Sequence, residues 1–128
     1  IDEGLSQIVW SPVAQGVLTG KYKPGEPVPE VSRATDEAGG GADFVKRFLR
    51  DDVLSAVQRL VPIAEEAGLT MAQLAIAWCL KNPRVSTVIT GASRIGQVAE
   101  NMRALEVAAK LTPEVMARIN DIVGSQYD

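Results

Sequence analysis

Two short runs of apolar and β-branched residues mark the predicted strands of this chain. The first covers Gln7 to Trp10 and is ended by Ser11-Pro12, because proline cannot donate to a strand ladder. The second covers Val85 to Thr90, and its composition is typical of a buried parallel strand. Most of the sequence between the two runs has helical rather than strand-like spacing of its apolar residues.

Helical periodicity begins by about Phe44 and is clear from Val53. One predicted face is formed by apolar residues three or four positions apart, namely Leu54, Val57, Leu60, Val61, Ala64 and Ala67. Pro62 interrupts this pattern, so we expect a kink or a division into two helical segments. Gly68 has the character of a residue that ends a helix.

Capping signals open two further helices. Thr70 and Gln73 form a capping-box pattern, and the helix that follows carries an apolar stripe expected to lie in the core: Leu74, Ala75, Trp78 and Cys79. Thr112-Pro113-Glu114 places a cap, a proline and an acid at the start of the last helix. The buried face of that helix is predicted to hold Met116, Ile119 and either Ile122 or Val123.

The remaining segments have no period of their own. Ile1 to Leu5 look like the tail of a helix, and Val13 to Tyr22 predicts a compact turn that is either a structural corner or a ligand-wrapping segment. Residues 23–43 are predicted to be a long irregular loop, and the glycines at 39–41 favour mobility around residues 38–42. The element order is α/β, but two strands do not make a stable sheet alone, so further sheet partners are expected.

Composition narrows the classes of function. The 128 residues are 46% hydrophobic and 23% charged, which fits one globular domain. A net charge of −3 without a basic stripe argues against nucleic-acid binding. No run approaches the roughly 18 apolar residues of a membrane span, and no signal-peptide pattern opens the sequence, so we expect no membrane insertion.

Cysteine and histidine usage adds two exclusions. The single cysteine, Cys79, excludes an internal disulfide framework and suits a reducing, cytoplasmic location. The absence of histidine argues against the usual zinc sites and against Ser–His or Cys–His catalysis, so no metal is expected.

The residues after the second run suggest an anion site. Gly91 lets a ligand approach the backbone, and Ser93 stands where a helix N-cap is expected. Exposed N–H groups at a helix start attract phosphate, and Arg94 would add charge beside them. The alternative is an ordinary strand-to-helix turn with a solvated arginine. The helix is predicted to run to about Leu105.

Three motifs in order carry a resemblance to a known family. Trp10 to Tyr22 (WSPVAQGVLTGKY) resembles the segment after the seventh strand of aldo-keto reductases. Gln73 to Trp78 (QLAIAW) also matches, and Val88 to Asn101 resembles the eighth strand and following helix, with Gly-x-Ser-x₃-Gln-x₂-Glu-Asn. The branch with potassium-channel β subunits and bacterial reductases is the most similar.

This resemblance implies a fold for residues 1–128. The family folds as a (β/α)₈ TIM barrel of about 250 residues and uses NADPH to reduce aldehydes and ketones. The chain therefore looks like the last two strand–helix units plus the C-terminal helix. The implied partners are a small carbonyl substrate and the N-terminal half of the barrel, and a homo-oligomer is possible.

The resemblance also implies cofactor-binding roles. Trp10 would stack on the nicotinamide, and the pyrophosphate path would be lined by Ser11, Pro12, Val13, Ala14, Gln15 and Gly16. Lys21 and Arg33 would add positive charge to that path; for Arg33, the sequence alone favours a solvated surface charge. The adenosine side would be held by Gly91, Ser93, Arg94, Gln97, Glu100 and Asn101. Val13 replaces a usual leucine.

The family's Asp–Tyr–Lys–His catalytic group is absent. Tyr22 and Tyr127 lie outside its context, so no residue here is expected to be catalytic. The first hypothesis is the cofactor-binding part of an NADP-dependent reductase, inactive alone. The second is a redox-sensing regulatory subunit that binds NADP(H) and a protein partner. A third is an interaction module without nucleotide.

Overall fold

The computed structural model describes residues 3–124, in which two strands and six helices follow one another in α/β order. The strands are β1 (Gln7–Trp10) and β2 (Val85–Ile89). The helices are α1 (Gly41–Lys46), α2 (Asp51–Ala67), α3 (Met71–Leu80), α4 (Ile95–Met102), α5 (Ala104–Val107) and α6 (Pro113–Val123). Short 3₁₀ segments cover Ala14–Thr19, Arg33–Thr35 and Ala108–Lys110.

The two strands pair in parallel, in agreement with the parallel strand that composition predicts at Val85 to Thr90. Val9 lies opposite Val88 and Trp10 opposite Ile89, with a register irregularity between Gln7 and Ile8. A parallel pair needs a crossover connection, and here the long segment that ends in α3 supplies it. The carboxyl ends of β1 and β2 therefore lie at one edge of the sheet.

The expectation that the second strand is buried is wrong for the described residues. Val88 is only half-buried, and Thr87 and Ile89 are exposed. The reason is that α3 packs against β2 while the opposite face of the sheet has no covering layer in residues 3–124. Burial of a parallel strand requires helices or strands on both sides.

Two groups of buried residues form the core. The first lies among α2, α3 and α6 and contains Leu60, Ile63, Ala64, Leu69, Leu74, Ala77, Leu111 and Ile119. The second joins the start of α2 to the segment after β1 and contains Val17, Tyr22, Val45, Leu54 and Val57. The second group fixes the position of the turn after β1, which carries many of the predicted site residues.

The caps predicted at Gly68, Thr70 and Thr112 are confirmed. Gly68 ends α2 in the left-handed conformation, with φ of 67°. Thr70 and Gln73 exchange backbone-to-side-chain hydrogen bonds, each of 3.1 Å, at the start of α3. At the start of α6, the Thr112 hydroxyl oxygen accepts a hydrogen bond of 3.4 Å from the backbone N–H of Val115.

Several helical details differ from the expectation. Of the two alternatives expected at Pro62, division into two segments is wrong, because α2 is continuous over Asp51–Ala67 and buried Leu60 and Ile63 hold both sides of the proline in the same core. A kink at Pro62 stays a prediction. The helix predicted to reach Leu105 ends at Met102 and resumes as α5.

Burial within the helices also differs in part. Leu74 is buried, but Ile76 and Ala77 are buried more deeply than Ala75 and Cys79. In α6, Ile119 is buried, and Met116 and Ile122 are partly buried against the first core group, whereas Val123 is exposed.

The irregular segment after Tyr22 is shorter than predicted. Residues 23–40 are turns and bends with one 3₁₀ turn, but Gly41 already begins α1. Asp36 Oδ1 accepts a hydrogen bond of 2.9 Å from the Gly39 N–H, so the glycine-rich part forms a defined turn. At the N-terminus, Ile1 and Asp2 lie outside the described residues, and Glu3 to Leu5 are not helical.

None of the single helices within residues 3–124 is long and apolar enough to span a membrane. Only α2 and α3 taken together reach that length and composition, and they are bent by 88° relative to each other.

Candidate functional site

Trp10 and Ile89 lie side by side at the carboxyl ends of the two parallel strands. The turn after β1 and the loop after β2 therefore leave the sheet at the same edge. Ligands of parallel α/β sheets bind at this edge, because the loops that follow the strands converge there. Trp10 is 66% exposed, so its side chain is accessible to a ligand.

The turn after β1 has an unusual backbone. Ser11, Ala14 and Gln15 have φ of 54°, 48° and 59°, which places three residues other than glycine in the left-handed region within five positions. The Gln15 side-chain amide donates a hydrogen bond of 2.9 Å to the Ser11 hydroxyl oxygen across the turn. Buried Val17 anchors the turn to the second core group. Such backbone strain concentrates at ligand sites.

Gly16 and Lys21 close this turn. Gly16 has φ of 95°, and a Cβ atom placed there would lie 3.2 Å from the Nζ of Lys21. The ammonium group therefore lies over the backbone of Gly16, where any larger side chain would displace it. The same Nζ is 5.2 Å from the centre of the Tyr22 ring. The structure thus brings the Lys21 ammonium group to the turn, and its contact with a pyrophosphate stays a prediction.

Two residues that the sequence analysis did not single out hold the far end of the turn. The Gln58 side-chain amide on α2 donates hydrogen bonds to the carbonyl oxygens of Gly20 at 2.9 Å and of Tyr22 at 3.3 Å. Tyr22 is buried, and its hydroxyl oxygen accepts a bond of 3.3 Å from the Ala34 N–H. In the sequence, Gln58 is recognisable only as a polar residue on an otherwise apolar helix face.

The bond between Tyr22 and Ala34 also positions Arg33. It links the short 3₁₀ turn of Arg33–Thr35 to the residue that follows Lys21. The Arg33 side chain is exposed. This bond fixes the backbone beside Arg33, and contact of the Arg33 side chain with a phosphate stays a prediction.

The loop after β2 does not have the predicted cap. The N-cap position of α4 is occupied by Arg94 rather than Ser93. Gln97 provides the cap instead, because its Oε1 accepts bonds from the backbone N–H groups of Ser93 at 2.8 Å and Arg94 at 3.1 Å. The Ser93 hydroxyl donates to the same oxygen at 3.1 Å. Three donors thus converge on one acceptor, beside exposed Gly91.

The helix face predicted for adenine is directed partly toward α3. The Glu100 carbonyl oxygen accepts a hydrogen bond of 3.2 Å from the Gln73 side-chain amide, and Asn101 is only 7% exposed. Gln97 is half-buried and is engaged in the cap described above. Contact of Gln97, Glu100 and Asn101 with adenine stays a prediction.

No second reactive centre is evident in the part of the chain that the structure describes. Residues 3–124 contain no group of three or more His, Cys, Asp or Glu side chains that could hold a metal ion. Burial raises the pKa of the Cys79 thiol, which keeps it protonated and unreactive. The Tyr22 hydroxyl is engaged with Ala34, and Tyr127 lies outside the described residues.

Comparison with known proteins decides the family. The sequence model of the aldo/keto reductase family matches residues 2–123. The chain belongs to the aldo/keto reductase family. This family implies a (β/α)₈ barrel, and two parallel strands with six helices are consistent with part of one.

The descriptions of similar proteins match the branch of the family that the motifs predict. The chain is 49% identical over 125 residues to a probable voltage-gated potassium channel subunit beta of Arabidopsis thaliana. It is 50% identical over 123 residues to a protein of the same description from Oryza sativa subsp. japonica. The matches cover 98% and 96% of this chain but only 37% of each relative. The chain thus spans little more than a third of their length.

Proposed function

We propose that this chain is the NADP(H)-binding part of an oxidoreductase that reduces aldehydes and ketones to alcohols. The proposal rests on the pairing of Trp10 with Ile89. This pairing places the turn after β1 and the loop after β2 side by side at the sheet edge where ligands of parallel sheets bind. Membership in the aldo/keto reductase family supports an oxidoreductase in general. The choice of NADP(H) as cofactor and of a small carbonyl compound as substrate goes beyond family membership and is our proposal.

The turn after β1 is suited to the nicotinamide and pyrophosphate. The exposed ring of Trp10 offers a stacking surface for a flat heterocycle. The left-handed residues Ser11, Ala14 and Gln15 bend the backbone into a concave turn, and Lys21 adds a positive charge over it. Arg33, held through Ala34, supplies a second cation for the same phosphates.

The loop after β2 is suited to a 2′-phosphate. The backbone and hydroxyl donors of Ser93 and the N–H of Arg94 already converge on Gln97 Oε1. An oxygen of a phosphate group can replace that amide oxygen as acceptor, and the exposed guanidinium of Arg94 adds charge. The preference for NADP(H) over NAD(H) is therefore assigned to Ser93 and Arg94.

When bound, reduced nicotinamide supplies the hydride that reduces a carbonyl carbon. The role of this chain is to hold and orient that group, because the sequence has no histidine and Tyr22, the tyrosine among the described residues, is buried away from the sheet edge. The proton must come from residues of the barrel outside this chain. We therefore expect the chain alone to bind NADPH weakly and to show no turnover.

The test compares NADPH and NADH binding by fluorescence titration of wild type and Arg94→Ala. Loss of a charge-assisted hydrogen bond should weaken NADPH binding about 10-fold or more, with little change for NADH. Arg103→Ala is the matched control, because this exposed arginine lies at the opposite end of α4. Equal losses for the two nucleotides would contradict the 2′-phosphate role of Arg94.

A second candidate is a regulatory subunit that binds NADP(H) and reports redox state to a protein partner. It is favoured by the 49–50% identity with plant proteins described as potassium channel β subunits. In the whole protein, slow turnover with tightly retained nucleotide and a reproducible partner would favour this candidate. Rapid multiple turnover with simple aldehydes would favour the enzyme.

A further inference from the structure

The side-chain oxygen of Gln97 is shared by three donors in the loop after β2. It accepts hydrogen bonds from the Ser93 N–H at 2.8 Å, the Ser93 hydroxyl at 3.1 Å and the Arg94 N–H at 3.1 Å. These are the same three donors that the proposed function assigns to a 2′-phosphate. An amide oxygen has two lone pairs, so three donors leave it no further capacity as an acceptor. The acceptor position of this loop is therefore filled by the chain itself.

A phosphate oxygen cannot use these donors while Gln97 uses them. Hydrogen bonds of about 3 Å with nearly linear N–H groups leave one small region in which a single acceptor meets all three donors. Oε1 of Gln97 lies in that region, and a second oxygen there would overlap with it. A ligand that binds through a phosphate at this point must first displace the Gln97 side chain. A ligand without that phosphate leaves it in place.

The side chain of Gln97 can leave this position without unfolding α4. The backbone N–H of Gln97 donates to the Arg94 carbonyl oxygen at 3.1 Å, and this bond does not involve the side chain. Ser93 and Arg94 are exposed, and space is open beside the backbone of Gly91 and Gly96. Rotation about side-chain bonds therefore frees the three donors. A charged phosphate oxygen binds such donors more strongly than a neutral amide oxygen does, so it can replace Gln97.

We propose that Gln97 is a specificity-determining residue that occupies the 2′-phosphate position in the nucleotide-free chain and competes with NADPH for it. The inference rests on the proposed function, because it concerns the donors assigned there to the 2′-phosphate. Only the nucleotide that carries this phosphate has to displace the side chain. The competition therefore lowers the affinity for NADPH and leaves the affinity for NADH unchanged, so Gln97 reduces the preference that Ser93 and Arg94 create.

This role differs from the adenine contact that the family resemblance implies for Gln97. Removal of an adenine contact weakens every adenine nucleotide to a similar extent, whether or not it carries a 2′-phosphate. Removal of a competing side chain strengthens the binding of nucleotides that carry the phosphate and has little effect on the others. The two roles thus predict opposite changes in the affinity for one ligand, which makes them separable by a single substitution.

The experiment titrates the wild-type, Gln97→Ala and Thr112→Ala chains with adenosine 2′,5′-bisphosphate and with adenosine 5′-monophosphate, followed by NMR. The two ligands share the adenine and differ in the 2′-phosphate. Gln97→Ala should bind the bisphosphate about fivefold more tightly than wild type does, because the apparent affinity falls in proportion to the fraction of molecules with open donors, about a fifth here. The monophosphate affinity should change by less than about twofold. Thr112→Ala is the matched control, because it removes a side-chain cap from α6 rather than α4, and it should leave both affinities unchanged.

The side-chain amide of Gln97 provides a second readout that needs no substitution. Its NH₂ resonances in the ¹⁵N-labelled wild-type chain should shift when the bisphosphate is added, because the side chain is displaced, and should not shift with the monophosphate. Equal shifts with both ligands would indicate an adenine contact and overturn the inference.

The titrations separate failure of this inference from failure of the proposed function. Unchanged or weaker bisphosphate binding by Gln97→Ala, or an equal gain for both ligands, would overturn the competing role of Gln97. The proposed function would still stand if the bisphosphate shifts the Ser93 and Arg94 amides. Absence of those shifts in wild type and in Gln97→Ala alike would overturn the 2′-phosphate site and the inference together.

Discussion

The hydroxyl oxygen of Tyr22 accepts a hydrogen bond of 3.3 Å from the backbone N–H of Ala34, 12 residues further along the chain. The ring of Tyr22 is buried in the second core group, so this bond fixes an otherwise irregular segment to the core. It is also the link that attaches Arg33 to the turn after β1. The Tyr22 phenol therefore contributes to holding the loop near the proposed phosphate site.

Tyr22→Phe tests this link. The substitution keeps the buried ring but removes the acceptor for the Ala34 N–H. The loss should destabilise the fold by about 1 kcal/mol and accelerate hydrogen exchange of the Ala34 amide roughly fivefold. Urea unfolding and amide exchange measured by NMR provide the two readouts. Unchanged exchange at Ala34 would show that the bond does not hold the loop.

Gln58 should contribute more to the stability of the fold than its neighbour Arg59 on α2. Gln58→Ala removes the hydrogen bonds to the carbonyl oxygens of Gly20 and Tyr22, so we expect a loss of about 1–2 kcal/mol in the free energy of unfolding. Arg59→Ala is the control, because Arg59 is exposed. Denaturant unfolding of both variants measures the difference. Similar losses for the two would contradict an anchoring role for Gln58.

Two glycine-to-alanine substitutions should change the stability of the fold in opposite directions. Gly96 lies inside α4 with open space around a Cβ atom, so Gly96→Ala should stabilise by about 0.5–1 kcal/mol. Gly68 ends α2 with φ of 67°, so Gly68→Ala should cost about 1 kcal/mol. Melting temperatures should move in opposite directions. A shift in the same direction for both would mean that the backbone conformation of one is not as described.

The Glu66–Arg118 pair should make the stability of the fold depend on pH in the acid range. The hydrogen bond from Arg118, at 2.7 Å, and its positive charge lower the pKa of the Glu66 carboxyl below its ordinary value. Stabilisation from this pair is therefore present above the unfolded-state pKa of the carboxyl and is lost as pH falls through the lower folded-state pKa.

Arg118→Ala should return the pKa of Glu66 toward its ordinary value and remove this acid-side dependence. NMR titration of the Glu66 side chain measures the change directly. Arg59→Ala, which alters an exposed arginine on the same helix as Glu66, should leave the titration unchanged. The effect on stability should be small, because both side chains are exposed and screened by solvent.

Local features of the fold were predictable, whereas features that depend on distant partners were not. The caps at Gly68 and Thr112 involve residues at most four positions apart, so sequence spacing is enough to predict them. The continuity of α2 through Pro62 depends on the core around Leu60 and Ile63. The exposure of β2 likewise depends on which layers cover the sheet.

The same distinction applies to the site. The segments after β1 and β2 are side by side because the strands pair in parallel, and composition predicted a parallel strand only for β2. The replacement of Ser93 as the cap was not predicted, because the Gln97 side chain reaches back to the amides of Ser93 and Arg94 and the helix begins one residue later than expected. Anchoring by Tyr22 and Gln58 spans 12 to 38 residues and leaves only a weak signal in the sequence.

The most direct test of the account is an NMR titration of the ¹⁵N-labelled chain with NADPH. The account predicts concerted shifts of backbone amides in two separate segments, Ser11 to Gly16 and Gly91 to Gln97, together with the Trp10 indole. NADH should shift the first segment but have a weaker effect at Ser93 and Arg94. A nucleotide site between the two strand ends would be contradicted by shifts confined to other parts of the chain. It would also be contradicted by the absence of shifts at millimolar NADPH, because a Kd of ~1 mM requires only about 4 kcal/mol of binding free energy.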